Sequence, residues 1–317
     1  MQATEKHTNL DIFTVAPQVF GMKDTFVNIY MIANKKAPEE WVLIDAGLKW
    51  SHKKIKKMAA MIFGADSKPQ CIILTHGHFD HIGSVQSLAE EWDVPVFAHF
   101  LERPYLTGRS SYPPPDSTVG GGMMASMAFL YPKKPIDITN HLNILPDNGL
   151  IPNLPDWRYI HTPGHAPGHI SLYREEDGVL IAGDAFVTTK QESVLSVMSQ
   201  KRELNGPPKY FTTDWDAAFR SVKVLADLEP SVVATGHGKP MSGPTMLDDL
   251  HRLVDEFFQV SKPAKGRYVN EPALSNEEGT VYIPDAVPMP AKQIAAYALV
   301  GVLIASTFFM LKSKKRS

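Results

Sequence analysis

The stretch Thr75-His76-Gly77-His78-Phe79-Asp80-His81-Ile82-Gly83 joins a short apolar run, Cys71-Ile72-Ile73-Leu74, to a segment of helical periodicity. The apolar run reads as a buried strand. Side chains at i and i+2 of an extended chain point the same way, so His76 and His78 can grip one cation from one side. As the chain turns into the helix, Asp80 and His81 project toward a neighbouring point. Gly77 and Gly83 let the backbone bend tightly around it. Neutral imidazole and carboxylate are the donors that Zn²⁺ or Fe²⁺ accepts.

Four donors do not fill two metal shells, and further ones follow downstream. His165 lies in His161-Thr162-Pro163-Gly164-His165-Ala166-Pro167-Gly168-His169, Asp184 follows Leu180-Ile181-Ala182-Gly183, and His237 lies in Thr235-Gly236-His237-Gly238. Each comes just after a strand-like segment, where a rigid sheet presents functional groups. Any one of them alone reads as a turn or cap residue. The ordered set points to a metal centre. The other histidines read differently: His161 and His169 as strand-end or supporting groups, His99 as structural, and His7, His52, His141 and His251 as surface residues. Asp45 fits a turn, and Cys71 a small core residue.

Around this centre, Ile12–Val15, Phe26–Ile32, Trp41–Ile44, Val94–Phe97, Arg158–Ile160, Ile170–Tyr173, Val179–Ala182 and Ser231–Ala234 read as strands. Ser51–Phe63, Ser84–Glu91 and Asp214–Leu228 read as helices, the last capped by Asp214. Strands and helices interleave without a steady βαβ rhythm, which supports only a layered α/β or α+β fold. The chain has 317 residues, 44% hydrophobic and 21% charged, with a net charge of -2 and one cysteine. That composition suits a large globular core, excludes a disulfide framework and lacks the electrostatic footprint of a nucleic-acid binder.

The HxHxDH run, the TPGHxxGH segment of residues 162–169, Gly183-Asp184 after a strand and the Gly-His-Gly of residues 236–238 resemble the metallo-β-lactamase superfamily. The likeness is to its glyoxalase II-like and lactonase-like branch, over roughly residues 10–253. It implies an α+β fold, a four-layer αββα sandwich with the site at one edge of the sheets. It also implies that His76, His78 and His165 bind a first metal and Asp80, His81 and His237 a second, with Asp184 bridging and Asp45 bracing the metal loop from behind. The expected cofactors are two divalent metal ions, zinc first, with iron or manganese as alternatives. The expected activity is hydrolysis: a hydroxide shared by two zinc ions attacks the ester-like carbonyl of a small-molecule lactone, thioester or β-lactam, and Asp80 orients it and passes a proton on. Four other readings stand beside it. A persulfide dioxygenase-like enzyme would use a single iron on the same fold. A flavodiiron reductase would carry a carboxylate where His78 stands and a flavin domain that does not follow. A phosphodiesterase or nuclease would need a basic face. A membrane-tethered binding protein would have a vestigial site.

Residues 1–260 are expected to form the catalytic domain, with a lid-like insertion over 101–141 where periodicity fails among Pro113, Pro114, Pro115 and Gly120, Gly121, Gly122. Its Tyr105, Tyr112, Met123, Met124, Met127 and Phe129 suit a pocket lining or packing on the sandwich, whereas Lys190, Lys201 and Arg202 read as a solvated loop. Residues 261–293 read as a linker. Ile294 to Leu311 is an 18-residue run without a charge, followed by the basic tail 312–317, and reads as a single transmembrane helix. Met1–Asp11 lacks the pattern of a secretory leader. The expectation is therefore a membrane protein with a C-terminal anchor and a cytosol-facing catalytic domain.

Overall fold

The computed structural model describes residues 10–288. Strands β1 (Asp11–Ala16), β2 (Val19–Asp24), β3 (Val27–Ala33), β4 (Trp41–Ile44), β5 (Cys71–Ile73), β6 (Val96–Ala98) and β7 (Leu142–Ile144) form one sheet in sequence order. It is antiparallel from β1 to β4 and parallel from β4 to β7. The second sheet runs from β8 (Leu150–Ile151) and β9 (Leu154–His161) through β10 (Ile170–Arg174), β11 (Val179–Ile181) and β12 (Val232–Ala234) to β13 (Met241–Ser242).

Alternation along the strands builds three apolar layers. On β3 and β4, Tyr30, Ile32, Val42 and Ile44 face the second sheet and meet Trp157, Ile170, Leu172 and Ile181. Their neighbours Ile29, Met31, Trp41 and Leu43 face outward onto helices α1 (His52–Phe63), α2 (Phe79–Ile82) and α3 (Val85–Trp92), through Ile55, Met58, Ile82, Leu88 and Trp92. A one-residue register slip would exchange these faces, so the period-2 pattern fixes the pairing. On the far side, Leu180 and Val233 meet Val222, Leu225, Leu250 and Leu253. Those belong to the longer helices after three short ones, in the order α4 (Arg103–Leu106), α5 (Met123–Ser126), α6 (Val194–Ser199), α7 (Trp215–Ala226), α8 (Pro244–Asp255) and α9 (Phe257–Val260). The result is helix, sheet, sheet, helix, the expected four-layer sandwich. Cys71 lies fully buried between the sheets, and burial pushes its thiol up to about 11.

The 101–141 stretch folds against this frame. Leu106 and Ile138 join the first core, and Ala125 and Ala128 form a small cluster with Tyr210 and Phe211, against which Phe79, Met124 and Tyr131 pack. Within the stretch read as a linker, β14 (Leu274–Asn276) and β15 (Gly279–Tyr282) make a hairpin, and Tyr105 Oη donates to Ser275 Oγ at 3.0 Å.

One expectation is corrected. Among the described residues no helix is long and apolar enough to cross a membrane. The longest, α1, α7 and α8, have 12 residues each, against about 20 needed to span a bilayer core. Residues 294–311 and the basic tail lie outside the described residues. The fold class is the sandwich, with no transmembrane helix among the described residues. The membrane as partner and the membrane location lose their support with it.

Trp41 locks the first core: its ring stacks on Phe63 at 4.8 Å, and its Nε1–H donates to Ser67 Oγ at 2.7 Å. Replacing it by alanine should lower unfolding free energy by about 3–5 kcal/mol, read from urea denaturation with an unchanged slope.

Candidate metal centre

The centre forms where strand ends of both sheets meet. The loop after β5 carries His76 and His78, and α2 carries Asp80 and His81. The loop between β9 and β10 brings His165, the turn after β11 brings Asp184, and the turn after β12 brings His237. All seven are buried. Donor atoms of His76, His78 and His165 lie within 4.8 Å of one another, as do those of Asp80, His81 and His237, and those of His76, His81 and Asp184. Asp184 Oδ2 stands 3.1 Å from His237 Nε2, 3.4 Å from His165 Nε2 and 3.7 Å from His81 Nε2, so it faces members of both outer groups. Gly236 permits this approach, since a Cβ there would sit 2.0 Å from Asp184 Oδ1.

Partners behind the rings assign their tautomers. Asp45 is a buried carboxylate held at a φ of 60°. Its Oδ1 accepts Thr75 N–H at 2.8 Å, and its Oδ2 accepts Thr75 Oγ1–H at 2.8 Å and His81 Nδ1–H at 2.7 Å. With its proton given to Asp45, Thr75 Oγ1 accepts His76 Nδ1–H at 3.0 Å. His237 Nδ1–H donates to Phe26 O at 2.7 Å. Each ring therefore turns its Nε2 toward the centre. Asp45 thus does what the resemblance implies rather than serving as a plain turn residue.

Among the described residues, His76 Nε2, His81 Nε2, His165 Nδ1 and Asp184 Oδ1 are buried without a hydrogen-bond partner. His78 Nδ1 and His165 Nε2 face each other at 2.9 Å. An unsatisfied buried polar group costs about 1–3 kcal/mol, so several such atoms in one small volume are poorly served by the protein alone. Divalent cations match this set of imidazole and carboxylate donors. Burial, then neighbouring imidazoles, holds His76 and His165 well below the usual histidine range, and burial brings His78 to about 3. These three are neutral and free to donate lone pairs. Burial opposes charge on His81 and His237 as well, but the carboxylates of Asp45 and Asp184 outweigh it for His81, and that of Asp184 for His237. Burial also pushes Asp80 up.

His169 is the supporting group expected of it, and several further supporting residues escape a reading by motif. His169 accepts Asp184 N–H at its Nε2 (2.8 Å) and donates from Nδ1 to Thr162 Oγ1 (2.8 Å), fixing the turn that carries Asp184. Asn28 Nδ2 donates to Thr235 O at 2.9 Å and Gly238 O at 2.6 Å, and Tyr30 Oη to Thr235 O at 2.6 Å, so β3 of the first sheet holds the loop of His237 in the second. Glu102, from the irregular 101–141 stretch, is fully buried and accepts Gly77 N–H at 2.8 Å and Gly168 N–H at 2.7 Å, and it meets Tyr112 Oη. It ties the His76–His78 loop to the His165 loop. Its only signal in the sequence is a carboxylate shortly after the strand end at Ala98. His161 stands apart, exposed and stacked on His99 at 4.1 Å, and Lys201 pairs with Glu203 on the surface.

Burial raises the Glu102 carboxyl from its ordinary 4.5 to about 7. The folded state then holds a proton that the unfolded chain releases, so this group's contribution is fully present below pH 4.5 and is lost as pH rises through about 7. Glu102→Gln should flatten that part of the stability–pH curve in chelator-treated protein. Glu102→Ala, which leaves two backbone N–H groups unpaired, should cost about 1–3 kcal/mol. A parental pH slope in Glu102→Gln and parental stability in Glu102→Ala would remove the clamp.

The Metallo-beta-lactamase superfamily profile matches residues 22–237. The chain is 44% identical over 248 residues to the "Probable metallo-hydrolase YflN" of Bacillus subtilis (strain 168), covering 78% of this chain and 94% of that protein. It is 28% identical over 205 residues to the "Probable metallo-hydrolase YybB" of the same organism, covering 64% and 78%. Among solved structures, BJP-1, a subclass B3 metallo-beta-lactamase of Bradyrhizobium japonicum, aligns with a TM-score of 0.52 and 19% identity over 78% of this chain and 92% of that one. An archaeal metallo-beta-lactamase superfamily protein from Sulfolobus tokodaii aligns at 0.51 and 19%, covering 76% and 84%. At those identities the structural likeness speaks for the fold alone. The profile spans most of the chain and the first relative matches nearly end to end: the chain belongs to the metallo-β-lactamase superfamily, whose fold binds divalent metals.

Proposed function

We propose that this metallo-hydrolase cleaves an ester-like carbonyl compound (a lactone, thioester or β-lactam) at a centre for two divalent cations, zinc foremost. His76, His78 and His165 would hold one, Asp80, His81 and His237 the other, and Asp184 would stand between them. The observation that carries the reading is the convergence of buried donor atoms left without partners. Such cations, when bound, lower the pKa of coordinated water to about 7 and polarise a substrate oxygen.

The chain's own groups prepare that chemistry. Asp45, Thr75 and the Phe26 carbonyl keep three imidazoles in the tautomer whose Nε2 points inward. Burial removes competing water and strengthens each charge interaction there. Asp80, whose affinity for a proton is raised by burial, takes up a proton at its carboxylate and returns it to the departing oxygen, sulfur or nitrogen. The relatives named as probable metallo-hydrolases support a hydrolytic reaction.

Metal analysis of the purified chain should give close to two equivalents of zinc, removable by chelator with loss of turnover across lactones, thioesters and β-lactams. Asp80→Ala should lower kcat by about 10²-fold or more, and His165→Ala should lose metal as well as rate. Undiminished turnover by both variants, or by the chelated protein, defeats the proposal. The carboxylates beside His81 and His237 raise the affinity of these rings for a proton, so protons compete with a cation for them. Metal titration in weak buffer should therefore release protons, and affinity should fall as pH falls.

A further inference from the structure

A cavity of about 520 Å³ opens beside the metal loop. Gly77 and His78 form part of its wall, so whatever fills it touches the centre. The rest of the buried wall is apolar or aromatic. Tyr112 lies 4.6 Å from the His78 ring and is stacked on Tyr105 at 3.9 Å, and Phe211 stacks on His78 at 4.5 Å. Leu48, Phe79, Ile82, Ile136 and several prolines add to it. Three lysines, Lys49, Lys133 and Lys134, line the cavity at its exposed rim together with Trp50, which is 64% exposed. None of the lining residues is a carboxylate. A site that is greasy within and cationic at its mouth selects a ligand of the same polarity.

We propose that this cavity seats the acyl part of the substrate, and that this part is an apolar chain or ring ending in a carboxylate. The inference rests on the hydrolytic reading above and adds the substrate class. The scissile carbonyl lies toward His78, the apolar body lies along Tyr112, Phe211 and Ile136, and the terminal carboxylate meets the lysines. In the reaction, water's oxygen bonds to the acyl carbon, the carbon–oxygen or carbon–sulfur bond breaks, and the alcohol or thiol leaves with one of water's protons. The other proton is released as the new acid ionises, so the acyl product is a dicarboxylate.

The test is binding of octanedioate, octanoate and butanedioate to the metal-loaded full chain, followed by calorimetry and by Trp50 emission with Trp50→Phe as control. Octanedioate should bind about threefold to fivefold more tightly than octanoate at low salt, the scale of exposed ion pairs. It should exceed butanedioate by about tenfold or more, since added methylenes are buried. In the double variant Lys133→Ala/Lys134→Ala the advantage over octanoate should shrink toward unity, while the preference for length should persist. Equal affinities for octanedioate and octanoate, or an advantage untouched by loss of the lysines, overturn the proposal. Turnover of esters without preference for a terminal carboxylate overturns it too and leaves the hydrolytic reading intact. Octanedioate selectivity in a protein that hydrolyses no ester supports the cavity's ligand and removes the hydrolytic reading instead.

Discussion

A buried group of five imidazoles and two carboxylates is an unfavourable thing to build, because each polar atom kept from water needs a partner. The outer nitrogens of His81, His76 and His237 are well served, by Asp45, Thr75 and the Phe26 carbonyl, while inner ones such as those of His78 and His165 face each other. Everything else in the fold serves that arrangement. The sandwich packs two sheets face to face so that strand ends of both can supply donors from opposite sides, and no single helix or hairpin could collect them.

Rigidity comes from cross-links between those strand ends rather than from the donors. Asp45 joins β4 to the loop after β5, His169 joins the β9–β10 loop to the turn after β11, and Asn28 joins the first sheet to the loop after β12. Glu102 closes the ring by tying the two loops that carry His76, His78 and His165. Each link uses a side chain to bond main-chain N–H or C=O groups. That fixes loop geometry in a way that packing contacts, which tolerate small slides, do not.

Much of this was legible from residue order. The apolar run at Cys71–Leu74 and the metal-type residues after it place β5, α2 and the first donors, and Asp214 caps α7 as expected, accepting Ala217 N–H at 2.9 Å. The seven predicted side chains do converge. What periodicity could not reveal has physical causes. β7, β8 and β13 have two or three residues each, too short for alternation to register. β2 carries Gly21, which packs under the Phe13 ring and breaks the pattern. α8 was readable, with Met246, Leu250 and Leu253 on one face, but its outer face of Asp248, Asp249, His251 and Arg252 lends it the look of a loop. Glu102, Asn28 and Tyr30 act through backbone atoms far away in sequence, a kind of contact that leaves no local motif. The apolar run near the C-terminus shows the opposite hazard: length and hydrophobicity alone suggested a bilayer-spanning element that no described helix supports.

The position of Cys71 has its own consequence. A thiol sealed between two sheets and reluctant to ionise is shielded from oxidants and alkylating agents while the layers stay together. Because it is the sole cysteine in the chain, its rate of modification would act as an internal clock for separation of the two sheets, undisturbed by any other sulfhydryl.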